Sequence, residues 1–231
     1  MLKPSEEKIK SFFKTKNIKV YGWADLDSKD KSKIMLSEDI LKVVNSAIVF
    51  GIPLSKLVIE NLNDAPDLLY LHHYRQANYI LDRTACEFAN FLEENGFSSI
   101  AIPASQIIDW KQQKAHLSHK YFARLCGIGW LGRNNLIVNN VYKSRLRLVT
   151  VLTAYQFNNG PEILKFNCGS CTSCIELCPA KAISTDAERF DHIRCFETIK
   201  QLTKKNNISQ YICGLCIKAC EHGNNKDTRA S

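Results

Sequence analysis

The chain has 231 residues, of which 45% are hydrophobic and 23% are charged. This apolar content excludes an intrinsically disordered chain, and no apolar stretch approaches the ~20 residues that a membrane-spanning helix needs. The formal net charge of +8 is compatible with an anionic partner but does not by itself indicate one.

The first residues, Met1 to Lys8, are charged and contain no apolar segment. We therefore predict that they are not a signal peptide and that the protein is cytoplasmic, with no membrane association. Eight of the ten cysteines lie between Cys168 and Cys220. Because disulfides are disfavoured in a reducing compartment, this concentration indicates metal binding or redox chemistry.

Helices and strands are predicted to alternate over about residues 1–155. Residues 4–15 predict an amphipathic helix and residues 19–24 predict a strand. The other predicted elements, in chain order, are a helix capped by Ser37, a strand at 46–51, a long helix at 68–95 that Gly96 ends, a strand at 98–102, a helix at 117–126, and strands at 136–138 and 145–153. This alternation predicts an α/β layer structure.

The segment Asn158-Asn159-Gly160-Pro161 is rich in turn-forming residues and predicts a domain boundary. We expect an α/β cofactor and substrate domain at 1–158. A smaller domain with a polar tail is expected at 159–231.

The cysteines of this second domain follow an iron–sulfur pattern. The run C-x2-C-x2-C-x3-C-P from Cys168 to Pro179 has the spacing of bacterial ferredoxins, whose fourth cysteine ligates the other of two clusters. The second run, C-x2-C-x3-C from Cys213 to Cys220, lacks an opening cysteine, and Cys195 lies between the runs. We infer that Cys195 supplies the missing ligand.

The eight cysteines then supply four ligands to each of two [4Fe–4S] clusters, and none is left over. Cluster one takes Cys168, Cys171, Cys174 and Cys220. Cluster two takes Cys178, Cys195, Cys213 and Cys216. Two zinc sites could also use eight thiolates, although the spacing is more specific for iron–sulfur. Two oxidised clusters would bring the net charge to roughly +4, which weakens the electrostatic argument for nucleic acid.

A glycine motif lies in the first domain, where Gly127-Ile128-Gly129-Trp130-Leu131-Gly132 matches G-x-G-x-x-G. A dinucleotide site needs a strand before this motif and a helix after it, whereas the reverse order is predicted here. The motif therefore argues against NAD, although closely spaced glycines still let a backbone approach a large planar cofactor.

The segment from Gly127 to Leu136, taken with Arg145-Leu146-Arg147 and the cysteine runs, resembles the epoxyqueuosine reductase family. The likeness extends to the segments 74–78 and 102–105. It implies an N-terminal cobalamin domain beside a ferredoxin-like domain whose two [4Fe–4S] clusters reduce the cobalamin. It also implies an external donor of the ferredoxin or flavodoxin type, and a tRNA substrate in queuosine biosynthesis. Corrinoid reductive dehalogenases have a similar layout.

The chain departs from this family in three places. It has no D-x-H-x-x-G segment, the usual cobalt-ligating motif. Gln113 stands where the family has an aspartate that is thought to donate a proton, and Asp109 is the nearest acid. The chain also ends soon after the second cysteine run, so we expect a short form without the C-terminal helical part of longer members.

The resemblance and the local sequence together suggest candidate site residues. Candidate cofactor contacts are Ser105, Ser118, His119, Gly127, Gly129, Trp130 and Arg133. Candidate catalytic residues are His119, Lys120 and Asp109. Each also has an ordinary structural interpretation, as a helix cap, a solvated side chain or a core residue. Arg145 and Arg147 alternate as the outer face of a strand would, and Cys86 and Cys126 fit core packing.

We therefore predict an iron–sulfur oxidoreductase that passes electrons through two clusters to a cofactor, cobalamin by resemblance, or to a substrate. The alternative from another class is a non-catalytic ferredoxin-type carrier that serves a partner enzyme. A third interpretation is an iron–sulfur sensor or structural protein. An enzyme needs a substrate pocket near the clusters, whereas a carrier needs only an exposed cluster edge.

Overall fold

The structure, a computed structural model, describes residues 6–157, 160–161, 163–164 and 167–223. Helices and strands alternate through the first two thirds of the chain, and short helices follow. The helices are α1 Glu6–Thr15, α2 Ser28–Lys31, α3 Glu38–Val43, α4 Lys56–Glu60, α5 Leu68–Glu94, α6 His119–Leu125, α7 Ser173–Leu177, α8 His192–Lys205 and α9 Leu215–His222. The strands are β1 Val20–Asp25, β2 Ser46–Pro53, β3 Ser99–Ile102, β4 Trp130–Leu131, β5 Ile137–Val138 and β6 Leu146–Thr153.

Four of these strands form one sheet in the order β1-β2-β6-β3. Strand β1 runs antiparallel to β2, with Val20 opposite Gly51, and β3 runs antiparallel to β6, with Ser99 opposite Thr153. Strand β2 is buried from Ser46 to Gly51, which explains why its sequence is a continuous apolar run rather than an alternating one.

Helices α1 and α5 cover this sheet with an aromatic core. The ring centroid of Phe13 lies 4.8 Å from that of Phe88 on α5 and 5.2 Å from that of Phe50 on β2. Ile9 and Phe13 are fully buried, so the predicted amphipathic helix buries the face that its sequence indicated. The mixed α/β fold predicted for this part of the chain is confirmed.

The chain divides into two compact units, each assembled from three segments. The first consists of Met1–Ile52, Asn78–Ile128 and Arg147–Ile163, and the second of Pro53–Ala77, Gly129–Leu146 and Leu164–Ser231. The predicted boundary residues Asn158 and Asn159 lie outside the described residues, and the domains at 1–158 and 159–231 stay predictions. Within the described ranges, no helix combines the length and the apolar character that crossing a membrane requires.

Candidate functional site

The eight clustered cysteines lie on or beside three short helices of the second unit. Cys168 and Cys171 precede α7, Cys174 lies within it, and Cys178 follows its last residue. Cys195 lies on α8, Cys213 precedes α9, and Cys216 and Cys220 lie on α9. All ten cysteines of the chain fall within the described ranges, and none of them forms a disulfide.

Four of the thiols form a first group. Cys174 is buried, and the thiols of Cys168, Cys220 and Cys171 lie near it. Burial, and then the proximity of these thiols, raises the pKa of Cys174 to about 12. Burial likewise raises the pKa of Cys220, which also has Cys168 and Cys171 as neighbours. Thiols held in this way would release protons on binding a cation.

A second group surrounds Cys216. Burial raises its pKa most, followed by the nearby thiols of Cys213, Cys195, Cys174 and Cys178. Burial also raises the pKa of Cys213, and the nearby thiol of Cys178 adds to this increase. Cys174, which belongs to the first group, is therefore also a neighbour of Cys216.

In the described part of the chain, no group of three or more His, Cys, Asp or Glu side chains is arranged to hold a metal ion. A zinc site places every donor atom within about 2.3 Å of one ion. The four thiolates of a [4Fe–4S] cluster instead bind four different iron atoms. The cysteine spacing, rather than this observation, is what favours iron–sulfur over zinc.

Arg133 secures the loop that carries the first cysteines. Its guanidinium donates to the backbone carbonyls of Gly169 at 2.8 Å and Thr185 at 2.8 Å, and also to that of Cys171. Gly169 has a φ of 52°, so this loop makes a tight left-handed turn. Arg133 was predicted as a cofactor contact, and the structure places it as a clamp on three carbonyl groups.

Asn134 and Ser144 lie beside α9, where Asn134 Nδ2 is 3.5 Å from the Cys216 carbonyl oxygen. Both are buried, and Asn134 Nδ2 donates to Ser144 Oγ at 3.0 Å. Hydrogen bonding by Ser144 partly offsets the rise that burial causes in the pKa of Cys220. Neither residue was singled out as a site residue from the sequence.

The glycine motif provides close backbone packing. A Cβ on Gly129 would lie 2.2 Å from the carbonyl oxygen of Val138, and one on Gly132 would lie 2.6 Å from Val138 Cγ2. Strand β4 can therefore pair with β5 only because these positions lack side chains. Gly127, with a φ of 70°, follows α6, and Trp130 is buried in β4. As predicted, a helix precedes the motif and a strand follows it.

His119 begins α6, and both nitrogens of its half-buried ring have partners. Nε2 lies 2.9 Å from the Pro103 carbonyl oxygen and Nδ1 lies 2.8 Å from Thr150 Oγ1. Because a carbonyl only accepts, Nε2 carries the proton and Nδ1 accepts from the Thr150 hydroxyl. Desolvation is the largest cause that lowers the His119 pKa, which falls to about 4. The hydrogen bond to Pro103 acts in the opposite direction, and the charge of Arg147 adds to the decrease. These contacts favour a structural role over proton donation.

The other candidates around α6 are also used locally. The Ser118 hydroxyl accepts from the Tyr121 N–H at 3.4 Å and so caps α6. Lys120 is half-buried in the first turn of this helix, and Ser105 is exposed in the turn after β3. Ser118 therefore has the helix-capping role that the sequence left open, whereas the roles of Lys120 and Ser105 stay predictions.

Asp109 and Gln113 lie in the loop between β3 and α6. The Asp109 carboxylate accepts from the Gln112 N–H at 2.9 Å, and the Gln113 amide donates to the Trp110 carbonyl at 2.6 Å. Gln113 has a φ of 53°, which a non-glycine residue adopts only in tight turns. Both side chains therefore stabilise turns of their own loop.

Two polar contacts of the first unit were not predicted from the sequence. The Tyr121 hydroxyl donates to buried Asp30 at 2.7 Å, and desolvation followed by this bond raises the Tyr121 pKa to about 12. Arg147 Nε donates to Asn78 Oδ1 at 3.0 Å, so Arg147 is bonded to α5 rather than only lining a strand. These partners are 91 and 69 positions apart in the chain, and no local spacing could have linked them.

Comparison with known proteins identifies relatives of one kind. No protein-family model matches the chain. The chain is 30% identical over 114 residues to the epoxyqueuosine reductase of Atelocyanobacterium thalassa, a match that covers 45% of this chain and 37% of the relative. It is 29% identical over 108 residues to that of Lactococcus garvieae, covering 43% and 30%. The matches thus span less than half the length of these relatives.

Solved structures share the fold at lower identity. The epoxyqueuosine reductase from Streptococcus thermophilus aligns with a TM-score of 0.61 and 16% identity, over 98% of this chain and 68% of its own. An epoxyqueuosine reductase with an epoxyqueuosine-modified tRNA stem loop aligns with a TM-score of 0.64 and 18% identity, over 98% and 66%. A reductive dehalogenase described as B12-dependent aligns with a TM-score of 0.63 and 17% identity, over 78% and 25%. The sequence and fold comparisons confirm the predicted resemblance: this chain is similar to the epoxyqueuosine reductases over part of their length.

Proposed function

We propose that this chain is an iron–sulfur oxidoreductase similar to the epoxyqueuosine reductases. The observation that carries the proposal is the grouping of eight disulfide-free cysteines around Cys174 and Cys216. A non-catalytic protein could hold the same clusters, but the named sequence relatives are all reductases. We therefore place the chain among enzymes, acting in the cytoplasm, where reduced thiols are available for cluster assembly.

The donor set fits two [4Fe–4S] clusters. Thiolates are the ligands that such clusters take, and the neighbours of Cys174 and Cys216 support the same division as the sequence spacing. Cluster one would be held by Cys168, Cys171, Cys174 and Cys220. Cluster two would be held by Cys178, Cys195, Cys213 and Cys216.

When bound, two such clusters supply one-electron transfer, with an external ferredoxin- or flavodoxin-type protein as the donor. The residues of the chain hold and shield them. Arg133 fixes the Gly169–Cys171 turn. An apolar shell around Cys174 and Cys178 excludes water; it consists of Ala180, Ala182, Ile183 and Ala219, with Ile175 and Phe190 packed against it. A water-poor surrounding of this kind influences the potential of a cluster.

As electron acceptor we propose a corrinoid, because one structural neighbour is described as B12-dependent. The predicted contact residues fit this group poorly. Ser118 caps α6, both ring nitrogens of His119 are bonded, and Arg133 holds three carbonyls. His119 is thus not placed to ligate cobalt, in agreement with the missing D-x-H-x-x-G segment, and corrinoid contacts would come from other residues.

As substrate, a modified tRNA is the first candidate to assay, because one neighbour binds an epoxyqueuosine-modified stem loop. Gln113 cannot donate a proton as an aspartate in its place would. Asp109 is the nearest acid, and it already accepts a hydrogen bond within its own turn. We therefore expect slower epoxide reduction than in the relatives, or a different reducible substrate.

Anaerobic reconstitution followed by cobalamin titration tests the proposal. The expected result is about eight irons per chain, an EPR signal after dithionite reduction, and a visible-spectrum change on adding cobalamin. Full iron without cobalamin binding would favour the carrier that serves a partner enzyme. A preparation that binds zinc but no iron would overturn the proposal.

A further inference from the structure

Arg133 and Arg145 are both half-buried, but they differ in what surrounds their charge. The Arg145 guanidinium lies 3.0 Å from the Glu221 carboxylate, which neutralises it. The Arg133 guanidinium donates instead to three backbone carbonyls, and among the described residues it has no carboxylate partner. A carbonyl carries no net charge and arginine stays protonated, so a full positive charge remains at Arg133.

This charge lies beside a proposed cluster ligand. Arg133 Nη1 donates to the carbonyl oxygen of Cys171, and Nη2 donates to that of Gly169 at 2.8 Å. Only four covalent bonds separate the carbonyl oxygen of a cysteine from its sulfur, so the guanidinium lies within roughly 8 Å of Cys171 Sγ in any side-chain rotamer. Because Arg133 is half-buried, water and salt screen its charge less than they screen an exposed one.

We propose that the positive charge of Arg133 raises the reduction potential of the cluster that Cys171 ligates, a role separate from its hold on the loop. Reduction adds one electron to this cluster and makes or breaks no bond to the protein. The guanidinium attracts the added negative charge, so it stabilises the reduced form more than the oxidised form. Net charge is one of the properties that set the potential of an iron–sulfur cluster. The inference rests on the proposed function, since it needs Cys171 to be a cluster ligand.

The test is a potentiometric titration of the reconstituted protein, followed by EPR, in which dithionite supplies one electron to each cluster. Arg133→Gln removes the charge, and we expect one of the two reduction waves to move to lower potential, by about 59 mV for a tenfold change in a one-electron equilibrium. Arg133→Lys keeps the charge but loses the planar fork. Its waves should stay close to those of the wild type.

Thr185→Glu tests the charge while Arg133 stays in place. Thr185 is exposed, and its carbonyl accepts from Arg133 Nε at 2.8 Å. A carboxylate on this residue would therefore lie near the guanidinium and offset its charge, and the same wave should move to lower potential. Arg189→Gln is the control, because it changes the net charge by the same amount at an exposed position, where water screens the loss. Neither of its waves should move.

The two proposals fail differently. Wild-type protein that binds no iron would remove the proposed function, and this inference with it. Wild-type protein with both clusters, and an Arg133→Gln variant with unchanged waves, would overturn the charge effect alone. So would an equal shift in Arg133→Lys and Arg133→Gln, or an equal movement of both waves. If Arg133→Gln loses cluster one, Thr185→Glu decides the question, and an unmoved wave in that variant would rule the charge effect out.

Discussion

Arg145 Nε and Glu221 Oε1 lie 3.0 Å apart, with side chains only 14% and 6% exposed. This ion pair joins the residue before β6 to the penultimate residue of α9, next to Cys220. Arg145 also donates to the Leu54 carbonyl at 2.8 Å and stacks over the Tyr142 ring. The pair therefore ties the helix that carries Cys216 and Cys220 to two other segments of the second unit.

Breaking this pair should destabilise the protein strongly. Glu221→Gln leaves the buried Arg145 charge uncompensated, which is expected to cost about 3–5 kcal/mol of unfolding free energy. Urea unfolding under anaerobic, reducing conditions measures this cost. Asp39→Asn is the matched control, since it removes an exposed pair with Lys42 that is worth about 1 kcal/mol or less. Equal midpoints for the two variants would contradict a structural role for Arg145 and Glu221.

Cys195 tests the ligand assignment most directly, because the sequence places it outside both runs. Cys195→Ala should lose about half of the iron and one of the two reduction waves, since only cluster two would lose a ligand. Iron analysis and EPR after reconstitution measure the loss. Cys86→Ala is the control, because Cys86 lies on α5 and outside both groups. Unchanged iron in Cys195→Ala would rule out this assignment.

Arg133 should govern how long cluster one is retained. Arg133→Lys keeps the charge but cannot reproduce the planar fork that reaches three carbonyls. Each lost bond to a charged donor is worth about 1.5–3 kcal/mol, so the Gly169–Cys171 turn should open more often. We expect faster release of about half of the iron to a chelator, with exposed Arg189→Lys behaving like the wild type. Equal release rates in both variants would show that the clamp does not limit cluster loss.

Much of the fold could be predicted because its signals are local. The apolar run of β2 lies within the strand that it predicts, and Gly96 follows two residues after the end of α5. Helix α8 was missed, although it has comparable signals: Asp191 accepts from the Arg194 N–H as an N-cap, and two lysines end the helix. From the sequence, this segment was interpreted only through Cys195, as a source of a cluster ligand, and no helix was predicted there.

The candidate site likewise has a part that local sequence predicts and a part that depends on distant contacts. Cysteine spacing is local and points directly to iron–sulfur chemistry. The supporting contacts are not local, since Arg133 reaches a carbonyl 36 positions away. That bond has no side-chain signature, because any residue offers a carbonyl. Arg133 was therefore assigned to a cofactor by resemblance, and its clamp became visible only in the folded chain.

The desolvated imidazole of His119 predicts a pH dependence of stability. Its pKa falls from 6.5 to about 4 on folding, so the unfolded chain binds a proton that the folded chain excludes between these values. The contribution of His119 to stability is therefore fully present above about pH 6.5 and is lost as the pH falls towards about 4, by up to about 3 kcal/mol.

His119→Asn isolates this effect. The stability difference between wild type and variant, measured by urea unfolding at several pH values, should be largest near neutral pH and shrink on acidification. Exposed His72→Asn is the control for the loss of a surface imidazole and should cost little stability. His119→Asn should also retain its full iron content, because its Pro103 and Thr150 partners belong to the first unit and the cysteine groups to the second. A difference that stays constant with pH would mean that the His119 imidazole titrates normally in the folded protein, and its assignment as a neutral structural residue would be wrong.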